Sequence, residues 1–230
     1  MAVVTVGLYF WLRNKRPIFK LIPFMIIATI LVGLEITKQI YGLYWTYFGD
    51  WLPLHVCSIF LFSIPLAVLL PQKSGASKIF WSLSLVVSLM LFVTLVFAPN
   101  MVMGSQVQTL MGGEPFYIHL GRNPTLMNVH SVVYHFVAVW FFFLFIALKP
   151  VHLNFKYLIF GGGVFAFFLI ISWHMTNVFG YEFSSFNMFG SFYDYGFRIL
   201  PMQFLIWLGH LIAAAVAIAL VIIIHKIKEK

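Results

Sequence analysis

The residues best suited to covalent chemistry in this chain are a cysteine and the histidine two positions before it. Cys57 is the only cysteine among 230 residues, and it belongs to the segment Leu-Pro-Leu-His-Val-Cys-Ser at positions 52–58. A thiol becomes a nucleophile as the thiolate, which needs a nearby base or positive charge. The segment stands near one end of an apolar stretch long enough to cross a bilayer. Polar groups are expensive to keep there, so the segment predicts a functional site.

The base for this thiol is expected to come from another helix. His55 lies two positions from Cys57, and on an α-helix that spacing turns it about 200° away. His130 is the best candidate, with His135 and His174 as the others. His130 and His135 are five residues apart and so lie about 140° apart around a helix, which prevents both from facing one point.

Other polar residues could serve the same site. Glu35 could orient a base, while Lys38 and Asn177 could donate hydrogen bonds to a developing oxyanion or bind a phosphate head group. A purely structural interpretation also exists, since Glu35 and Lys38 are three residues apart on one helix and can neutralise each other. A lone cysteine in a membrane helix is, by itself, usually a small hydrophobic side chain.

The composition is that of an integral membrane protein. Hydrophobic residues make up 62% of the chain and charged residues 9%, against about 25% charged residues in soluble domains. The net charge of +8 does not indicate a nucleic-acid partner, because the basic residues cluster in short connections between apolar stretches. A single cysteine excludes an internal disulfide.

The hydropathy pattern predicts an all-α polytopic membrane helix bundle that forms a single transmembrane domain over residues 1–230. Seven apolar stretches are the predicted transmembrane helices, at roughly 1–12, 17–41, 51–70, 78–98, 124–148, 156–179 and 201–225. The first is short, at about 18 Å against the ~30 Å of hydrocarbon in a bilayer. Three consecutive glycines at 161–163 predict close helix packing.

Charge placement predicts the orientation of the chain in the membrane. The odd-numbered connections and the C-terminal tail carry a net charge of +10, the even-numbered connections carry −2, and the intrahelical pair Glu35 and Lys38 cancels. The positive-inside rule then places the N-terminus outside and the C-terminus in the cytoplasm of a multi-pass cell-membrane protein. The two long connections, about 99–123 and 180–200, are expected on the outer side.

With that orientation, several ionisable residues from different helices fall at one depth. Counting about 1.5 Å per residue from the outer end of each helix places these residues roughly 7–10 Å below the outer surface: Glu35, His55, Cys57, His130 and His174. His135 lies deeper, at about 15 Å. Polar groups in lipid turn toward a shared cavity or toward each other. We therefore expect a polar pocket that opens outward or toward the outer leaflet.

This depth suits chemistry on lipids. The ester bonds of a phospholipid lie near the junction of head group and acyl chain, where a cysteine–histidine pair could transfer an acyl group through a thioester. Membrane lipids are then the expected partners, and the chemistry requires no cofactor. A second option is a zinc site built from Cys57, His55, His130 and His174 with one open position, although their spacing lacks a local zinc signature.

The hexapeptide Leu-Pro-Leu-His-Val-Cys, which follows a helix bearing an acid and a lysine, resembles the YwaF-like family of bacterial integral membrane proteins. The animal relatives of that family are the transmembrane protein 164 group. The resemblance extends to chain length, span number and a histidine-bearing helix after the long outer loop. It implies a lipid acyltransferase acting on lysophospholipids, including ether-linked ones. Cys57 would be the nucleophile, His55 its motif neighbour, and the partner histidine either His130 or His135.

Two other classes of function fit the same layout. The chain could be the substrate-binding membrane component of a small-molecule transporter, although its inner loops are short and carry no evident coupling motif. It could also be a heptahelical receptor or sensor, because seven spans with an outer N-terminus are receptor topology. A retinal Schiff base is excluded in the last span, which has no lysine near its middle.

Overall fold

The computed structural model describes residues 2–45, 55–97, 124–179 and 199–228. Within those ranges the regular structure is entirely helical, which confirms the all-α class. The elements are α1 (Ala2–Leu12), α2 (Pro17–Trp45), a 3₁₀ turn (Val56–Ser58), α3 (Ile59–Leu69), α4 (Gly75–Phe97), α5 (Pro124–Leu148), α6 (Phe155–Phe179) and α7 (Ile199–Lys228). The long connections predicted at 99–123 and 180–200 lie almost wholly outside the described residues.

Most helix bounds agree with the hydropathy pattern, and the differences have local causes. Helix α4 begins earlier than expected because the Ser74 hydroxyl accepts a hydrogen bond from the Ser77 N–H (3.1 Å) and so caps the helix. Helix α2 continues to Trp45 rather than ending near 41. In the third predicted span, helical geometry among the described residues begins only at Val56.

Among the residues that the structure describes, three helices are long and apolar enough to cross a bilayer. Their qualifying stretches are Pro17–Ile40, Gly75–Val96 and Phe155–Met175, of 24, 22 and 21 residues, or over about 30 Å of helix each. Shorter apolar helices, counted only over residues whose side chains are described, cover Val3–Leu12, Val56–Leu69, Val132–Leu148 and Leu208–Ile223. These lengths fit a membrane-embedded helical protein.

Helix α4 forms the centre of the bundle and packs against α3, α5, α6 and α7. Small polar residues allow this close approach. The hydroxyls of Ser63 on α3 and Ser84 on α4 are hydrogen-bonded at 2.7 Å. A Cβ added to Gly161 would lie 2.7 Å from the Ser82 Oγ and 2.9 Å from the Leu83 backbone nitrogen, so the glycine prediction is confirmed at this position.

An aromatic core joins α2, α4 and α5. The rings of Phe24 and Trp81 meet edge-on with centroids 4.9 Å apart, and Phe141 lies 5.6 Å from Trp81. All three side chains are fully buried. The indole N–H of Trp81 donates to the Gln72 Oε1 (2.8 Å), which satisfies a buried donor. This core fixes the mutual positions of the helices that carry the polar residues.

The basic connections gather at one end of the bundle, which we call the basic end. Arg13, after α1, and Lys149, after α5, line one cavity. The Lys78 Nζ, near the start of α4, lies 5.2 Å from the centre of the Tyr157 ring at the start of α6. The late part of α2 and the beginnings of α3 and α5 therefore lie toward the opposite end.

Candidate functional site

The turn that carries Cys57 is not a continuation of an α-helix. His55 has an extended backbone (φ −73°, ψ 149°) and precedes the 3₁₀ turn. The Ser58 N–H donates to the His55 carbonyl (2.9 Å) and closes the turn. The expectation that His55 and Cys57 lie on opposite sides of one α-helix is therefore wrong, because His55 stands before the first helical residue. Cys57 is half-buried and reduced.

Helix α2 contributes a buried ion pair. The Lys38 Nζ lies 3.0 Å from the Glu35 Oε1, and the two side chains are 12% and 6% exposed. The Gln39 Nε2 donates to the same Glu35 oxygen at 2.8 Å. A buried carboxylate is tolerated when such partners replace its hydration. The structural interpretation of Glu35 and Lys38 as a mutually neutralising pair is thus confirmed, and it is compatible with a role beside a site.

His130 connects α5 to α2. Its Nε2 lies 2.9 Å from the Leu34 carbonyl oxygen. A carbonyl can only accept, so the Nε2 carries the proton and donates. In the neutral imidazole the Nδ1 is then the nitrogen with an available lone pair. One hydrogen bond therefore fixes both the ring position and the tautomer that a general base requires.

Tyr134 connects the same face of α5 to the cysteine turn. It lies one helical turn after His130, and its hydroxyl donates to the Cys57 carbonyl oxygen (3.3 Å). The His130 and Tyr134 rings stack with centroids 5.9 Å apart. One phenol therefore links the histidine and the turn that bears the thiol.

We call Glu35, Lys38, Cys57, His130 and Tyr134 the polar cluster. Three elements supply it: α2, the 3₁₀ turn and α5. Glu35, which is paired with Lys38, directly follows Leu34, whose carbonyl accepts the hydrogen bond from His130. Its two cross-element hydrogen bonds, from His130 and Tyr134, end on backbone carbonyls. These two hydrogen bonds hold the cluster together and involve neither the Cys57 thiol nor the His130 Nδ1.

The other histidines predicted for the site have different positions. His135 is buried, and its ring meets the Tyr134 ring edge-on at 6.2 Å. His174 is exposed on α6, a helix that packs mainly against α4 and α7. The side chain of Asn177 lies outside the described residues. The structure thus brings together four sequence-predicted residues, Glu35, Lys38, Cys57 and His130, with His135 adjacent.

In the part of the chain that the structure describes, no set of side chains could serve as ligands of the alternative zinc site. Within those ranges, no three His, Cys, Asp or Glu side chains lie close enough to share a metal ion. His174 stands apart on an exposed face, and a zinc site requires at least three protein ligands.

Tyr134, a member of the cluster, and Gln39, which donates to Glu35, were both missing from the sequence-based prediction of the site. Both lie four residues after a predicted site residue, at the spacing that places side chains on one helix face. That spacing was the available signal. It says nothing about which backbone group a side chain reaches across to another helix.

Comparisons with family models, with curated protein sequences and with solved structures found no match.

The cluster has the components of nucleophilic catalysis. It holds one thiol, an imidazole whose tautomer leaves the Nδ1 as acceptor, a phenol and an ammonium group in a mostly buried setting. A base near a thiol and donors near a developing negative charge are the two requirements for acyl transfer.

Proposed function

We propose that the protein is a lipid acyltransferase of the cell membrane that acts on phospholipids and lysophospholipids in the outer half of the bilayer. Cys57 is the nucleophile, and His130 is the general base. The proposal combines the polar cluster with the likeness of the hexapeptide to the YwaF-like family.

The proposed membrane arrangement has seven crossings, with the N-terminus outside and the C-terminus in the cytoplasm. Its support is the gathering of the basic connections at one end of the bundle. The positive-inside rule assigns that end to the cytoplasm. The polar cluster, at the opposite end, then belongs to the outer leaflet, near the ester bonds of lipids.

The observation that carries the proposal is the chain of contacts that joins the turn of Cys57 to ionisable residues of α5 and α2. A cysteine that served only for packing would need no imidazole and no buried ion pair around it. Here Tyr134 of α5 donates to the Cys57 carbonyl, and His130, one helical turn earlier, stacks on Tyr134. His130 in turn donates to Leu34 of α2, next to the ion pair of Glu35 and Lys38. Ionisable residues inside a membrane are rare and usually mark function.

The reaction divides into two balanced steps. The His130 Nδ1 takes the proton of the Cys57 thiol, and the sulfur attacks an ester carbonyl of the donor phospholipid. The tetrahedral intermediate collapses to a thioester as the lysophospholipid oxygen leaves and takes the proton from His130. An acceptor hydroxyl then gives its proton to His130 and attacks the thioester. The new ester forms, and the proton returns to the sulfur.

The remaining predicted residues have supporting roles in the proposed mechanism. Lys38 is the cation of the polar cluster that stabilises a developing oxyanion or binds a head-group phosphate, and Glu35 holds it in place. His135 is the alternative base, on the next position after Tyr134. The roles of His55 and Asn177 in binding substrate stay predictions, and so does that of His174, which is exposed on α6 apart from the polar cluster.

The test is an acyl-exchange assay with purified protein in nanodiscs. A labelled phospholipid serves as donor and an unlabelled lysophospholipid as acceptor. Cys57→Ala should abolish transfer, by at least about a thousand-fold. His152→Gln, an exposed histidine at the basic end, is the matched control and should retain full activity.

The outcomes separate the classes of function. Full transfer by Cys57→Ala would exclude the thioester mechanism. A wild-type protein that transfers no acyl group, yet purifies with a tightly held water-soluble small molecule, would favour the transport component or the receptor.

A further inference from the structure

A second polar region lies at the basic end, distant from the polar cluster. A cavity of about 630 Å³ opens between α1, the beginning of α2 and the end of α5. Three cationic side chains line it, those of Arg13, Lys20 and Lys149. None of the described residues that line it is acidic. Uncompensated positive charge in a concave site calls for an anionic ligand.

The walls of the cavity are held in place by specific contacts. The indole N–H of Trp140 on α5 donates to the Thr5 Oγ1 on α1 at 2.9 Å, and Thr5 is buried. The Arg13 guanidinium carbon lies 5.1 Å from the centre of the Phe10 ring. Stacking of this kind restrains the guanidinium while its N–H groups stay available for a bidentate contact with phosphate.

Lys149 occupies a conformation that its side chain does not favour. It has φ 43°, in the left-handed region where glycine is the usual residue after a helix. Its N–H donates to the Phe145 carbonyl (2.9 Å) and ends α5. A lysine at this position keeps a cation on the cavity wall where a glycine would suit the backbone better.

The remaining lining indicates the kind of anion. Val6, Ile146 and Ala147 are apolar, and Thr5 lies about 12 Å along α1 from Arg13. A free phosphate would use only the polar rim of such a space. A lipid would place its head group at the cations and the upper part of its acyl chains against the apolar wall.

We propose that this cavity binds the phosphate of an anionic membrane lipid, with Arg13, Lys20 and Lys149 as its ligands. The site is separate from the proposed acyl-transfer centre and does not depend on it. It makes the association of α1 with α5 sensitive to the lipid composition at the basic end.

The experiment measures thermal unfolding of the full chain in micelles against added lipid. The probes are phosphatidylglycerol, phosphatidylcholine and water-soluble glycerol phosphate. Phosphatidylglycerol should raise the unfolding temperature in a saturable way, and the other two should not. Loss of one cation should weaken the apparent affinity for phosphatidylglycerol about five-fold.

Lys149→Gly is the decisive variant because it removes the charge and leaves a residue suited to the local backbone. Arg13→Gln tests a second ligand, and Lys15→Ala is the matched control, since Lys15 is exposed in the same connection and does not line the cavity. Weakened lipid stabilisation in Lys149→Gly and Arg13→Gln, with Lys15→Ala unchanged, supports the site.

Three results would overturn the proposal. The first is an unchanged lipid response in Lys149→Gly. The second is an equal loss in Lys15→Ala, which would mean that general surface charge attracts the lipid. The third is an equal stabilisation by glycerol phosphate, which would make the ligand a free phosphate.

Discussion

Positive charge is balanced by a carboxylate at one end of the bundle and is not balanced in the cavity lining at the other. At the polar cluster, Glu35 and Lys38 neutralise each other inside the protein and both are mostly buried. At the basic end, Arg13, Lys20 and Lys149 line a cavity with no described acidic neighbour in its lining. A buried charge requires an opposite charge inside the protein, whereas cations that line a cavity without an acidic neighbour attract an anion from outside the protein. The first arrangement favours a preorganised reaction centre, and the second favours a binding site.

The largest expected effect comes from a substitution that keeps the hydrogen bond made by the His130 Nε2 and removes the base at the Nδ1. Gln at this position can still donate from its Nε2 to the Leu34 carbonyl, but it offers no base at the Nδ1 position. We expect His130→Gln to lower kcat for acyl exchange by about 10²–10⁴-fold with little loss of stability. His130→Ala should lose both activity and thermal stability. Equal activity of wild type and His130→Gln would remove His130 from the chemistry and leave His135 as the candidate base.

The second largest effect is expected at the ion pair in α2, where Glu35 balances the charge of Lys38. Glu35→Gln leaves a mostly buried ammonium without its counter-charge, at a cost of about 3–5 kcal/mol in the free energy of unfolding. The double variant Glu35→Gln with Lys38→Met should recover most of that loss. A double-mutant cycle of unfolding in denaturant measures the coupling. Additive effects of the two substitutions would mean that the pair is not a unit.

A smaller effect is expected from the tyrosine that links α5 to the cysteine turn. Tyr134→Phe removes only the hydrogen bond to the Cys57 carbonyl, at a cost of about 0.5–1.5 kcal/mol in stability. Activity should fall less than in His130→Gln, because Tyr134 positions the turn and does not take the proton. A loss of activity as large as that of His130→Gln would place the phenol in the reaction itself. Thermal unfolding and kcat, measured on one preparation, separate these outcomes.

The smallest effect on stability is expected at the basic end. In neutral lipid, Lys149→Gly relieves the unfavourable φ but gives up a cation near the C-terminus of α5, so the unfolding free energy should change by less than about 1 kcal/mol. Calorimetry in phosphatidylcholine micelles checks this value. A loss of several kcal/mol would show that Lys149 holds the fold together, and the contrast between the two ends would then fail.

The fold was largely predictable because membrane helices carry long apolar stretches with charged ends. The predicted bounds of 124–148 coincide with those of α5, and the grouping of basic connections at one end agrees with the charge alternation. The start of α3 was not predictable from hydropathy. The apolar character of the third stretch continues across residues 51–58, whereas the backbone of His55 is extended and the helix begins in a 3₁₀ turn.

The residues of the candidate site were more predictable than the hydrogen bonds that join them. Depth counting selected Glu35, Cys57 and His130 because polar groups in apolar helices are rare. The hydrogen bonds that join them end on the backbone carbonyls of Leu34 and Cys57. Every residue has such a carbonyl, so no side-chain pattern reveals which one is used. For the same reason Tyr134 carried no signal beyond its spacing from His130.

The central claim, that Cys57 carries the acyl group, is tested most directly by intact-protein mass spectrometry. Because Cys57 is the only cysteine, a single thiol adduct has one possible location. After brief exposure to a donor phospholipid without acceptor, the wild-type protein should gain the mass of one acyl chain. Hydroxylamine should remove that mass, and Cys57→Ala should never acquire it. A wild-type protein that transfers acyl groups while its mass stays unchanged, or an acylated Cys57→Ala protein, would contradict the account.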